Sequence, residues 1–270
     1  MTYSPAARFG ADQQMTSKAG FGSTPSTSSR APLRGPLPRP HMMSRPYNIA
    51  WLSHAGEVSY DTIVAPSVPV IESACANVAR GTLISTTQGP VAVEDLAPGM
   101  GVLTSEYGPL PLQWVGSYDM TPRDAQTNER GKLFRVTSDA FGLAKPASDL
   151  MLAPRSHILM RHAACKALFG VDLAFAPVRA FEDGVQVVSI TPISSISLFN
   201  LAFDRQATIL ANGVEVESFH PGPFTETLLD DELLYSLLRL FPQARSLESF
   251  GPQLTQRLTS FEVRALREGA

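Results

Sequence analysis

Only two of the 270 residues are cysteine, Cys75 and Cys165, and that scarcity excludes a disulfide-stapled scaffold. Both are expected to be free thiols. Charge is sparse too: Asp, Glu, Lys and Arg make up 17% of the chain, the net charge is -3 and the isoelectric point is near 6.0. Nucleic acid is therefore not an expected partner, because binding it needs a basic face. No run approaches the roughly 20 apolar residues of a membrane-spanning helix. Met1 to Gly20 is interrupted throughout by Ser, Gln, Asp and Lys, which leaves no room for a secretory apolar segment. A cytoplasmic location is the expectation, with leaderless export left open. His157, His162 and Cys165 fit no standard zinc spacing, and there is no phosphate-cradling glycine loop, so neither metal nor cofactor is expected.

What is plentiful is the raw material of a β core. The chain is 44% hydrophobic and carries fourteen Phe, six Tyr and two Trp, while 22 Pro and 19 Gly imply many turns. Short runs such as Val102-Leu103-Thr104, Leu112 to Gly116, Lys132 to Thr137, Leu150 to Leu152, Ile158 to Met160, Val185 to Pro192, Ser197 to Phe203 and Ala207 to Leu210 alternate or are β-branched. Their spacing predicts a mainly β domain, a sandwich or barrel of short strands, over residues 73–223. Ahead of it, residues 1–46 form a Pro- and Ser-rich basic arm, with Arg8, Lys18, Arg30, Arg34, Arg39 and Arg45 against Asp12, and the composition predicts disorder. Residues 47–72 are expected to pack on the fold as a leader. Residues 224–270 are expected to be helical: Asp230 and Asp231 cap Glu232 to Phe241, and a second helix is predicted from about Gln253 to Arg267.

The most informative stretch is Ala79 to Leu96. Thr82 to Thr87 is β-rich, Gln88-Gly89-Pro90 supplies a turn, and Val91-Ala92-Val93 alternates again before Glu94-Asp95, so a β-hairpin is predicted with Gly81 bending its entry. Gly81-Thr82-x-Ile84, then Val91-x-Val93-Glu94-Asp95-Leu96-x-x-Gly99, resembles the opening of the Hint (hedgehog/intein) self-processing domain, with Met100 in place of an Asp. Further on, Leu198 to Gln206, Ala211-Asn212-Gly213-Val214 and Glu217-Ser218-Phe219-His220-Pro221-Gly222 are similar to later Hint motifs, the last as in bacterial Hint-like proteins. The resemblance covers about Glu72 to Pro223. It implies an all-β horseshoe with pseudo-two-fold symmetry, and autoprocessing or protein splicing through an N-to-S acyl shift.

It is the catalytic positions that depart from the pattern. The family's nucleophile lies four residues before the Gly of Gly-Thr, and that position is Asn77; the nearby thiol is Cys75. At the Thr-x-x-His pair the aligned residues are Ala153 and Ser156, with His157 one place over. Asp204 is in place, but Gln206 stands where His is expected and cannot shuttle a proton. Glu217-Ser218 replaces the closing His-Asn of inteins. Two readings follow: a self-cleaving protein using Cys75, His157 and Asp204 as off-register substitutes, or a Hint fold retained as a non-catalytic interaction or structural module. Counting the filled roles favours the second, with a protein as the expected kind of partner.

Overall fold

Alternating apolar and polar residues, broken every few positions by Gly or Pro, produce sixteen short strands in two antiparallel sheets among the described residues. The computed structural model describes residues 43–122, 124, 132–223 and 225–268. The arm expected to be disordered lies outside the described residues up to residue 42, and part of the loop expected at Asp119 to Arg130 lies outside them as well.

In chain order the elements begin with the hairpin β1 (Ser44–Leu52) and β2 (Val58–Pro66), paired from Ser44↔Pro66 to Leu52↔Val58. Its inward residues Tyr47, Ile49, Ile63 and Ala65 are buried, while Tyr60 and Val64 stay exposed, as the period of two requires. Helix α1 (Pro69–Ala74) starts with Pro at its first position and buries Ile71 and Ala74. Then come β3 (Val78–Ala79), β4 (Leu83–Thr86), β5 (Gly89–Ala92), β6 (Gly101–Thr104), β7 (Gly108–Pro111), β8 (Trp114–Met120), β9 (Leu133–Val136), β10 (Leu150–Leu152) and β11 (His157–Arg161). Helix α2 (Ala163–Phe169) precedes β12 (Leu173–Pro177), β13 (Val187–Ile190), β14 (Ile196–Ala202), β15 (Thr208–Ala211) and β16 (Val214–Glu217). Three helices close the chain: α3 (Thr225–Leu228), α4 (Asp231–Arg239) and α5 (Ser260–Glu268).

One sheet runs β13-β9-β10-β3-β14-β8-β1-β2 and the other β12-β11-β16-β15-β4-β6-β7, with β5 on β4. The predicted hairpin at Gly81 is β4–β5, registered Leu83↔Ala92 to Thr86↔Gly89. Asn212 and Gly213 both take positive φ, 47° and 86°, and close β15–β16 with a two-residue turn. That is the geometry an Asn-Gly pair allows and a pair of β-branched residues would not.

The helices dock through aromatics. Trp114 on β8 lies 4.3 Å, ring to ring, from Phe241 just past α4, and Phe241 stacks at 4.6 Å on Phe219 and meets Phe250 edge-on at 5.0 Å. Trp114 Nε1 donates to the Leu240 carbonyl at 2.6 Å, so its buried N–H has a partner. Asp230 caps α4 by accepting from the Leu233 N–H at 2.8 Å, as the sequence predicts.

The second predicted helix is corrected. Helix α5 starts only at Ser260, where Thr259 and Glu262 form a reciprocal cap. The segment before it is extended: Phe175 N–H donates to the Gln256 carbonyl, and Leu258 N–H donates back to the Phe175 carbonyl, both at 2.8 Å. The Leu258 N–H, which a helix would turn back on the Leu254 carbonyl, is thus taken by Phe175, while the N–H groups of Leu254 and Thr255 donate to the side chain of Gln206.

Candidate functional site

The short strand β3 sits in the middle of its sheet, with Val78 facing Leu152 of β10 and Phe199 of β14. Asn77, immediately before it, is therefore fixed by its backbone. Its N–H donates to the Phe199 carbonyl at 2.9 Å, and its carbonyl accepts from the Ala153 N–H at 2.8 Å and from Ser156 Oγ at 2.7 Å. From the other sheet, β16 delivers Glu217, after which the chain crosses over. Ser218 N–H still bonds to Ala207 of the second sheet's region, whereas Phe219 N–H donates to Leu201 of the first. Asn77 Nδ2 donates to the Glu217 carbonyl at 2.8 Å, which joins the entry of the domain to its exit.

Between these segments lies a cleft of about 480 Å³ whose wall includes Asn77, Ser156, His157, Glu217, Ser218 and His220. Ser156 and His157 both line it. Strict strand alternation would have put them on opposite faces, but β11 begins at His157 and Ser156 belongs to the preceding turn, where the period of two does not apply.

Glu217 is 5% exposed and held on three sides. Gln206 Nε2 donates to its Oε1 at 2.6 Å, and Arg257 Nε lies 3.0 and 2.8 Å from its two oxygens. Burial pushes this carboxyl above the usual carboxylate value, and the Arg257 charge and the hydrogen bonds from Arg257 and Gln206 pull it back. His157 Nδ1 is 3.5 Å from Glu217 Oε2, yet burial and the nearby charges of Arg257, Arg179 and Arg155 hold the ring down at about 3. It is a neutral imidazole at neutral pH. His220 is neutral for a related reason: burial lowers its pKa, first of all. Its Nδ1 accepts from the Gly222 N–H at 3.1 Å, which assigns the proton to Nε2, 3.0 Å from the Gly251 carbonyl.

Of the residues singled out in the sequence, His157 reaches the cleft, whereas Cys75 and Asp204 are not among those lining it. Cys75 ends α1 fully buried among Ile71, Ala74 and Trp114. A Cβ on Gly116 would meet the Trp114 ring at 2.0 Å and Cys75 Sγ at 2.9 Å, so glycine is required there for the thiol and the indole to pack. Burial pushes the Cys75 thiol far above its usual value. Asp204 points outward, its side chain 58% exposed and paired with Arg205 at 2.9 Å, which lowers its pKa. Gln206 is buried at the edge of the cleft network, with its amide donating to Glu217 and to the Thr255 carbonyl at 3.3 Å and its oxygen accepting from the N–H groups of Leu254 and Thr255 at 2.9 and 2.8 Å. Arg257 was not foreseen. It lies in the stretch predicted to be helical, and no local pattern ties it to Glu217, 40 residues earlier. Away from the cleft, His162 caps α2 and Cys165 is buried in a small apolar cluster.

Residues 76–223, more than half of the chain, match the family described as the Hint domain. The chain belongs to the Hint domain family. One solved structure similar to it is the solution structure of the bacterial intein-like domain from Clostridium thermocellum, 12% identical, with a TM-score of 0.36 over 53% of this chain and 99% of that one. No curated protein matches the chain. The Hint match takes in Asn77, Ser156, His157, Gln206, Glu217, Ser218 and His220. Cys75 falls just before it. Arg257 falls beyond it, so a guanidinium from outside the Hint match completes the polar network inside the Hint cleft. No helix among the described residues is long and apolar enough to cross a membrane.

Proposed function

We propose that this Hint domain is a non-catalytic interaction module that keeps the scaffold of autoprocessing and has lost the chemistry. The observation that carries the reading is the state of Asn77, which by the resemblance stands at the nucleophile position. Its amide donates to the Glu217 carbonyl and its backbone is bonded on both sides, so the residue pins the two ends of the fold together. A carboxamide offers no thiolate or alkoxide for an acyl shift.

The substitutes fare no better. An attacking cysteine must be a thiolate, and a thiol sealed among apolar side chains with its pKa driven up is inert. His157 is too weak a base near pH 7 to carry a proton in either direction. Gln206 anchors the segment Leu254–Thr255 and has no titrating group.

Alkylation tests this with Cys165→Ser as the background. In the native protein Cys75 should resist iodoacetamide for hours, and in urea it should react as an ordinary thiol. Native labelling of Cys75 at the unfolded rate would mean a reactive thiolate and would overturn the reading.

A further inference from the structure

We propose that the edge of β8 is a strand-binding slot of the Hint domain, that its occupant is the chain's own upstream hairpin, and that the hairpin stays bound when the backbone joining the two is cut. This gives the interaction module a partner, and it holds whether or not the cleft retains any chemistry. The first support is topology. The Hint match starts at residue 76, so β1, β2 and α1 lie entirely ahead of it. Taken alone, the matched part ends this sheet at β8, and β1 adds to that edge antiparallel, from Asn48↔Ser117 to Trp51↔Trp114. The Leu52 N–H carries the ladder on to the Gln113 carbonyl at 2.9 Å. Strand addition to an open edge is a mode of peptide recognition in which main-chain hydrogen bonds give affinity and alternate side chains give specificity.

The second support is the alternate side chains. Tyr47 and Ile49 are buried in one cluster with Trp114, Tyr118 and Met120 of β8. Ile49 stands opposite Gly116, and Tyr47 meets the Tyr118 ring edge-on at 5.5 Å. A slip of one residue would turn Asn48 and Ala50 inward instead, so the slot reads register. The third support is charge. Arg45 of β1 forks onto Asp124 of the Hint match, Nη2 to Oδ1 at 2.7 Å and Nη1 to Oδ2 at 3.2 Å, and lies 4.9 Å over the Tyr118 ring. The Asp124 carboxylate is itself held by the Thr121 N–H at 2.7 Å, and Glu72 of α1 lies 3.3 Å from the same Nη2. A two-pronged pair of this kind fixes geometry as well as adding energy. Asn200 Nδ2 also donates to the Ser73 carbonyl at 3.1 Å, which holds the end of α1. A two-stranded hairpin is marginal alone in water, so β1 and β2 depend on this docking for their order. A break at Ala74–Cys75 would cut the covalent link and leave the whole interface in place.

The test cuts the folded, full-length chain at a protease recognition sequence inserted between Ala55 and Gly56, in the exposed turn that joins β1 to β2. The piece carrying β1 should co-elute with the remainder on gel filtration at micromolar concentration and separate in urea. The melting temperature of the cut protein should rise with protein concentration, and that of the uncut protein should not. Arg45→Gln should raise the dissociation constant of the cut pair about tenfold. A fluorescent peptide of residues 43–53 should exchange into the cut protein, and the same peptide with Tyr47→Asp and Ile49→Asp should not. In the unmodified chain, the β1 amides that pair with β8 should resist hydrogen exchange as strongly as those of β14. Loss of the β1 piece from the remainder, folded or aggregated, equal exchange of the doubly substituted peptide, or early exchange of the β1 amides would overturn the proposal. Intact mass of the uncut chain keeps the two readings apart: self-cleavage at Ala74–Cys75 sinks the non-catalytic reading alone, whereas an intact chain that loses β1 once cut sinks only the strand slot.

Discussion

Arg257 Nε lies 2.8 Å from Glu217 Oε2, so a guanidinium from the C-terminal segment neutralises a carboxylate buried at the exit of the Hint fold. Arg257 Nη2 also donates to the His220 carbonyl at 2.7 Å, fixing the turn that follows. The segment Gly251 to Leu258 thereby becomes part of the site and not an appendage to it.

Breaking this pair should be far worse than deleting it. Arg257→Ala leaves Glu217 charged and uncompensated in a nearly dry position, which typically costs about 3–5 kcal/mol. The Arg257 side chain is 25% exposed, so the lower end is expected. Arg257→Ala with Glu217→Gln should recover a good part of the loss, because Gln206 can then bond a neutral amide. Urea unfolding of both variants checks this, and strictly additive losses would contradict it.

Gln206 should behave as a clamp. Gln206→Leu keeps the bulk but strips the acceptor from Leu254 and Thr255 and the donor from Glu217. A loss of roughly 2–4 kcal/mol is expected from these orphaned groups. Amide hydrogen exchange should rise first at Leu254 and Thr255. Unchanged protection there would show that the C-terminal segment is held by something else.

The pH dependence of stability follows from His157. Its folded pKa of about 3 lies below the ordinary value of 6.5, mainly through burial. Between those values the unfolded chain holds the extra proton, so stability is full above 6.5 and falls as pH drops toward 3, by up to about 1.4 kcal/mol per pH unit. His220, lowered by burial, acts in the same direction. Glu217, raised by burial from 4.5, acts in the opposite one, losing stability as pH rises through its window. Comparing the parent with His157→Gln isolates the histidine: the variant should show a shallower acid decline, and identical slopes would remove His157 from the account.

The parts of the fold that a local pattern specifies were legible in the sequence. The hairpin at Gly81 and the two-residue turn at Asn212-Gly213 depend on glycine and on residues that tolerate positive φ, and those are visible in one dimension. Asp230 announced α4 for the same reason. The failure at Gln253 to Leu258 has a long-range cause. Leu254 and Leu258 recur at helical spacing, but Phe175, far away in the sequence, takes the Leu258 N–H and the Gln256 carbonyl that a helix would have needed. Likewise Asn77 and Gln206 could be recognised as departures from the Hint pattern, whereas what each now does, pinning Glu217 from two directions, emerges only once both sheets and the C-terminal segment meet.

Intact mass of the purified full-length chain tests the central claim, that the Hint scaffold persists without its chemistry, most directly. After overnight incubation at neutral pH with dithiothreitol or hydroxylamine, either of which would intercept a thioester, one species at 29.1 kDa is predicted, the same for the parent and for Cys75→Ala. Fragments divided between Ala74 and Cys75, present in the parent and absent from Cys75→Ala, would show a working nucleophile and contradict the account.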